Sequence, residues 1–122
     1  MRRGTTPTHT FHTDLDLSQA EAIYVTYAQE VGGGEIEVVA EYTLDNGVEV
    51  DGDTITVTLT EEDTLKMMTA RDRHLVTAKD MFESLHKGIV MAQIRVKFSE
   101  DNKIASDVVK IQLDDILKDG AI

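Results

Sequence analysis

Residues 54–60 alternate without a break: Ile55, Val57 and Leu59 are separated by Thr54, Thr56, Thr58 and Thr60. Successive side chains of an extended strand point to opposite faces, so this run predicts a half-buried β-strand with its three apolar residues inward. Helical periodicity cannot produce it. Residues 90–98 repeat the pattern, with Val90, Ala92, Ile94, Val96 and Phe98 on one face and Gln93, Arg95 and Lys97 on the other. A third run sets Ile36, Val38, Ala40 and Tyr42 against Glu35, Glu37 and Glu41. Both read as strands with one wet side.

Residues 22–29 are rich in β-branched and aromatic side chains (Ile23, Tyr24, Val25, Thr26, Tyr27), and residues 105–113 place Val109, Ile111 and Leu113 at period two. Residues 8–13, around Phe11, predict a weaker first strand. Gly32, Gly33 and Gly34 join two strong strands and are read as a hairpin loop. A phosphate cradle would need a following Lys-Ser/Thr or a spaced glycine pattern before a helix. Asn46-Gly47 and Asp51-Gly52 both favour tight turns. They lie too close together to flank a full strand, so at most a short edge strand over 48–50 fits between them.

Helical signals are confined to three places. Thr60 with Asp63, and Thr77 with Asp80, have the spacing of a capping box. The second opens a short amphipathic helix in which Ala78, Met81, Phe82 and Leu85 share a face and Gly88 is the stop. A third turn is predicted over 114–120, with acids first and Gly120 last.

About seven short strands with no βαβ alternation predict an all-β fold, an antiparallel immunoglobulin-like β-sandwich with a short helix in the crossover between its sheets. Residues 60–88 would be that crossover. A small closed barrel is the alternative. Residues 1–7 are expected to be a flexible basic tail, and residues 8–122 a single β-sandwich domain.

Charge narrows the partners. With 23 acidic and 12 basic residues the net charge is −11, a field that repels phosphate backbones and anionic lipid, so neither nucleic acid nor membrane is an expected partner. Cysteine is absent, which removes disulfides, thiolate metal sites and thiol nucleophiles and suits a reducing compartment. No apolar run follows Arg2 and Arg3, and none later approaches a membrane span, so a soluble protein is expected.

Candidate chemistry is thin. His9 and His12 resemble a metal pair, but positions three apart on a strand point to opposite faces. His74 and His86 belong to no HExxH arrangement. The acid-rich turns at 14–16 and 45–53 invite a calcium reading, but a loop begun at Asp51 places Ile55 and Thr56 where an oxygen ligand and a glycine are needed. Solvated turn residues explain these acids, with weak calcium binding left open. Ser18, Ser84, Ser99 and Ser106 lack the Gly-x-Ser-x-Gly elbow. No catalytic, cofactor-binding or metal-ligating residue is therefore assigned, and no cofactor is expected. Carbohydrate platforms favour Trp, which is absent.

Taken together, Arg2-Arg3-Gly4-Thr5-Thr6-Pro7, residues 23–29, residues 57–65, Gln93-Ile94-Arg95-Val96 and Ile116-Leu117-Lys118-Asp119-Gly120 resemble a family of short, little-characterised proteins encoded in phages and prophages of Gram-positive bacteria. The resemblance spans nearly the whole domain, except that the stretch between Leu65 and Val90 is longer here. It implies a non-enzymatic phage structural or accessory protein, tail or baseplate associated, in the virion or the host bacterial cytoplasm. Its implied partners are other virion proteins or copies of itself in a homo-oligomer. A host-surface carbohydrate-binding module is the first alternative and a small hydrolase the second.

Overall fold

The structure is a computed structural model, and it describes residues 1–32, 35–68 and 87–114. Its strands are β1 (Thr8–His12), β2 (Ala22–Gly32), β3 (Glu35–Leu44), β4 (Gly47–Asp51), β5 (Thr54–Thr58), β6 (Lys87–Ser99), β7 (Asn102–Ala105) and β8 (Val109–Asp114). Among the described residues a 3-10 turn (Leu17–Gln19) follows β1 and a helix, α1 (Glu61–Lys66), follows β5. The strand order is β1-β5-β4-β3-β2-β6-β7, with β8 also paired to β6.

The protein is all-β and immunoglobulin-like in plan, as the alternation predicts: short, mostly antiparallel strands fold over one core, with a short helix in the β5-to-β6 connection. The layers are continuous. A short parallel contact, Thr43 with Gly47 and Leu44 with Val48, joins β3 to β4 and makes one curled sheet of the whole. The curl is visible in a single hydrogen bond. His9 on β1 and Tyr27 on β2 stand four places apart in the strand order, yet the His9 Nδ1 and the Tyr27 hydroxyl are 2.8 Å apart across the interior.

The predicted inward faces form the core. Ile55, Val57 and Leu59 are buried, as are Val90, Ala92, Ile94 and Val96 of β6 and Ile23, Val25 and Tyr27 of β2, while Phe11 and Phe98 pack against them half-buried. Burial of this apolar surface is the main stabilising term, roughly 25 cal/mol per Å² removed from water. Next to it, α1 begins where the capping box places it: the Thr60 hydroxyl accepts the Asp63 N–H at 3.1 Å.

Four expectations are corrected or refined. Of the four β3 residues expected inward, Ala40 and Tyr42 are buried, but Ile36 and Val38 lie outward. Tyr27 pairs with Ala40 but Ala28 pairs with Val38, so Val39 is an extra residue, and a one-residue bulge reverses the phase of everything before it. β4 is an interior strand between β3 and β5, not an edge. The predicted 105–113 strand is one arm along β6, broken at 106–108: Arg95 pairs with Ala105 and Ala92 with Val109, so the arm carries one extra residue. Finally, residues 1–7 are docked, not a free tail. Arg2 bridges to Asp114, the Gly4 N–H donates to the Thr64 hydroxyl at 3.0 Å, and the Leu59 N–H donates to the Pro7 carbonyl at 2.9 Å.

The docking has a physical cause. The Arg3 guanidinium donates to the carbonyls of Met67 and Leu65, at 3.0 and 3.2 Å, at the C-terminal end of α1. Helix ends leave such carbonyls without partners, and a cation there is favoured. The predicted helices over 77–88 and 114–120 lie largely outside the described residues.

Candidate functional site

The outer face of β2, β3 and β6 changes character along its length. At one end it is polar: Glu41 accepts from the Thr26 hydroxyl (3.0 Å) and from the Arg95 guanidinium (3.2 Å), and Arg95 also lies over the Tyr24 ring, 5.0 Å from its centroid. At the other end the wet side becomes apolar. Ala28, Val38 and Met91 lie abreast through the pairs Ala28–Val38 and Ala28–Met91; Ile36 lies beyond Val38 on β3 beside its partner Glu30, and Ile89 beyond Met91 on β6. Ile36 is 64% exposed, Val38 58% and Ile89 45%. Ile36, Val38 and Met91, with Val108, which is 52% exposed, line a shallow groove ending at Glu41 and Arg95. Single exposed apolar residues are ordinary on a protein surface, whereas a contiguous row on a sheet face marks a contact site.

The bulge at Val39 makes this groove. Without it, Ile36 and Val38 would follow Ala40 and Tyr42 inward. No glycine, proline or other punctuation marks the position in the sequence, so alternation alone assigned both residues to the core.

A second opening lies on the open lateral side of the curled sheet. Residues 10–15 line one wall of it, and Ile94, Val96, Ile104, Ser106 and Val109 line the other. Val109, Ile111 and Leu113 do share the core side of β8, but burial fades along them: Leu113 is buried, Ile111 half-buried and Val109 exposed as the strand nears this opening.

The titratable groups that the fold gathers are committed to structure. His9, Tyr27, Tyr42 and Asp63 form a polar thread from β1 through the core to α1. The Tyr27 and Tyr42 rings meet edge to face at 6.0 Å, and the Tyr42 hydroxyl donates to Asp63 at 2.5 Å while accepting the Thr60 N–H at 3.2 Å. Burial pushes the Tyr27 phenol well above its ordinary range, and burial with the Asp63 hydrogen bond raises Tyr42 as well. Burial and then the positive N-terminus hold His9 below the usual histidine value. Burial opposes ionisation of Asp63, but the hydrogen bonds from Tyr42, Thr60 and Lys66 outweigh it and keep the carboxyl low. At neutral pH these shifts keep both phenols protonated and favour the neutral imidazole.

His9 faces the interior and His12 is exposed, on opposite sides of β1 as the spacing requires. The two acid-rich turns do meet: the Thr13 N–H donates to the Asp53 carbonyl and the Leu17 N–H to that of Gly52, so Asp14, Asp16 and Asp53 surround one surface depression. Among the described residues no group of three or more His, Cys, Asp or Glu is placed to hold a metal ion. His74, Ser84 and His86 lie outside the described residues, while Ser18, Ser99 and Ser106 are on separate surface turns and strand ends.

Gln29 was not anticipated. It is fully buried, and its side-chain amide donates to the Met68 carbonyl and accepts the Met68 N–H, both at 2.8 Å, holding the chain beyond α1 as a neighbouring strand would. The signal was present, since Gln29 is in phase with Ile23, Val25 and Tyr27 and so had to point inward.

No protein-family model and no curated protein matches this sequence. Among solved structures the chain is similar to the V domain of amphioxus IgVJ-C2, at 14% identity and a TM-score of 0.36, over 95% of this chain and 97% of that one. The architecture stands on the strand pairing itself, independently of that likeness. Among the described residues no helix is long and apolar enough to cross a membrane.

Proposed function

We propose that the protein is a non-enzymatic assembly component, acting through protein–protein contacts made by the outer face of β2, β3 and β6 with copies of itself. The observation that supports this reading is the row Ile36, Val38 and Ile89, exposed on what would otherwise be the wet side of the sheet. Covering such a row removes apolar area from water, and the Arg95–Glu41 pair at its end gives a polar rim. A phage or prophage tail or baseplate, the setting implied by the sequence resemblance, is the proposed place for this assembly.

Size-exclusion chromatography with light scattering, across protein concentration and salt, tests it. The wild-type chain forms an oligomer, and Ile36→Glu with Val38→Glu, both on exposed positions, returns it to a folded monomer. A wild-type chain that stays monomeric at every concentration overturns self-assembly through this face.

A further inference from the structure

The second opening differs from the outer groove in one respect: its wall includes a free sheet edge. No β5 residue lines it, so it lies on the side of β1 away from β5, the one strand that pairs with β1 among the described residues. The bonds flanking β1 fix which backbone groups face that way. The Thr13 N–H donates to the Asp53 carbonyl and the Leu59 N–H to the Pro7 carbonyl, in the same register that pairs His9 with Val57 and Phe11 with Ile55. Odd-numbered residues of β1 therefore bond to β5, and the N–H and C=O groups of Thr8, Thr10 and His12 point outward. Among the described residues nothing pairs with them. Nor does β1 carry proline, lysine or a bulge within Thr8–His12, the usual means of blunting an edge.

The floor beside this edge is apolar. Ile94 and Val96 lie at its base, Ile104 and Val109 on the far wall are 38% and 43% exposed, and Phe11 and Leu15 are half-buried on the near wall. One end is acidic, because Asp14 lines the opening and Asp16 and Asp53 adjoin it. Unpaired strand groups along one side, an apolar floor and a negative end together specify a ligand. The backbone groups require another extended backbone, and alternate side chains of an added strand would reach the floor.

We propose that the β1 edge binds an extended segment of another protein, added as a further strand, with apolar residues at alternate positions and lysine or arginine at the end that meets Asp14. The segment covers Ile104 and Val109 and satisfies Thr10 and His12. This surface is separate from the outer groove, so the two readings stand or fall independently.

The probes are two synthetic peptides of alternating valine and threonine, one ending in two lysines and one in two glutamates, added to the full-length ¹⁵N-labelled chain. The lysine peptide slows amide exchange at Thr10 and His12 by about tenfold or more, and the glutamate peptide binds several-fold more weakly. Thr10→Pro removes an outward N–H without touching the β5 pairing, so the chain folds and the protection disappears. Ile104→Glu on the far wall weakens binding by an independent route, and keeps the test open should Thr10→Pro misfold. Ile36→Glu on the outer groove leaves peptide binding unchanged. Absence of protection with either peptide, or equal binding by Thr10→Pro, overturns the proposal. So does protection that rises with protein concentration before any peptide is added, because a second copy would then occupy the edge.

Discussion

The Tyr42 hydroxyl, carried on β3, donates to the Asp63 carboxylate in the first turn of α1 at 2.5 Å and accepts the Thr60 N–H at 3.2 Å. One phenol thus fixes where the helix starts relative to the sheet. Tyr42→Phe keeps the ring and removes both bonds, leaving the Thr60 N–H without this partner. The expected cost is about 1–3 kcal/mol, read as a lower urea midpoint with an unchanged slope. The Asp63 carboxyl should also titrate higher in the variant by NMR, since one of the bonds holding it low is gone.

Gln29→Leu should be among the most damaging single changes to the described fold. The side chain is fully buried, and both polar groups of its amide are used on the backbone of Met68, with a further contact to the Ile89 carbonyl at 3.3 Å. Leucine fills similar space but leaves the Met68 N–H and C=O without this partner, at a cost of about 2–4 kcal/mol in equilibrium denaturation. A loss below about 0.5 kcal/mol would show that the contact is dispensable.

Stability should fall on mild acidification because of His9. Its ordinary value is 6.5, and burial lowers it in the folded protein. The unfolded chain therefore binds the proton more readily, so the contribution of His9 is whole above about pH 6.5 and is lost as pH falls below that through the lowered folded value. His9→Gln removes the titration while keeping a polar group near Tyr27. Its urea midpoint should depend less on pH between about 5 and 7 than that of the wild type. Parallel curves for the two proteins would exclude His9 as the cause.

The two turn glycines should respond unequally to substitution by alanine. Gly47 has φ +95, and a Cβ there would come within 2.5 Å of Tyr42 Cδ1, whereas Gly52 has φ +63 with nothing within 4 Å of the added carbon. Gly52→Ala should cost about 1 kcal/mol, from backbone conformation alone. Gly47→Ala should cost at least about twice that, because the Tyr42 ring must also shift and with it the bond to Asp63. Thermal melts of the two variants side by side decide the order.

The class of this fold was legible because most strands have one wet face: the threonines between Ile55, Val57 and Leu59 leave no other reading. What escaped was whatever depends on counting residues across a pair of strands. Val39 and residues 106–108 are ordinary in composition, so the bulges that turn Ile36 and Val38 outward and divide β7 from β8 leave no mark in the chain. The docking of residues 1–7 escaped for a related reason, since Arg3 binds backbone carbonyls, which have no sequence signature. The outer groove is therefore a product of pairing register, and the β1 edge a product of strand order. Neither can be read from local pattern. His9 and Tyr27 illustrate the same limit, being 18 positions apart in sequence and bonded only because the sheet curls.

The Val39 bulge also bears on how this surface could be gained or lost. A bulge that absorbs one extra residue in β3 sets which face the preceding half of the strand presents, without altering any other side chain. Removing the codon for Val39 would close the bulge and leave Ile36 and Val38 outward, in the register that already pairs Ala28 with Val38, whereas straightening the strand with Val39 kept in the ladder would turn them toward the interior. The outward row therefore depends on the place where the strand absorbs its extra residue and not on the identity of Val39, so a shift of the bulge along β3 changes the character of this surface without replacing any apolar residue.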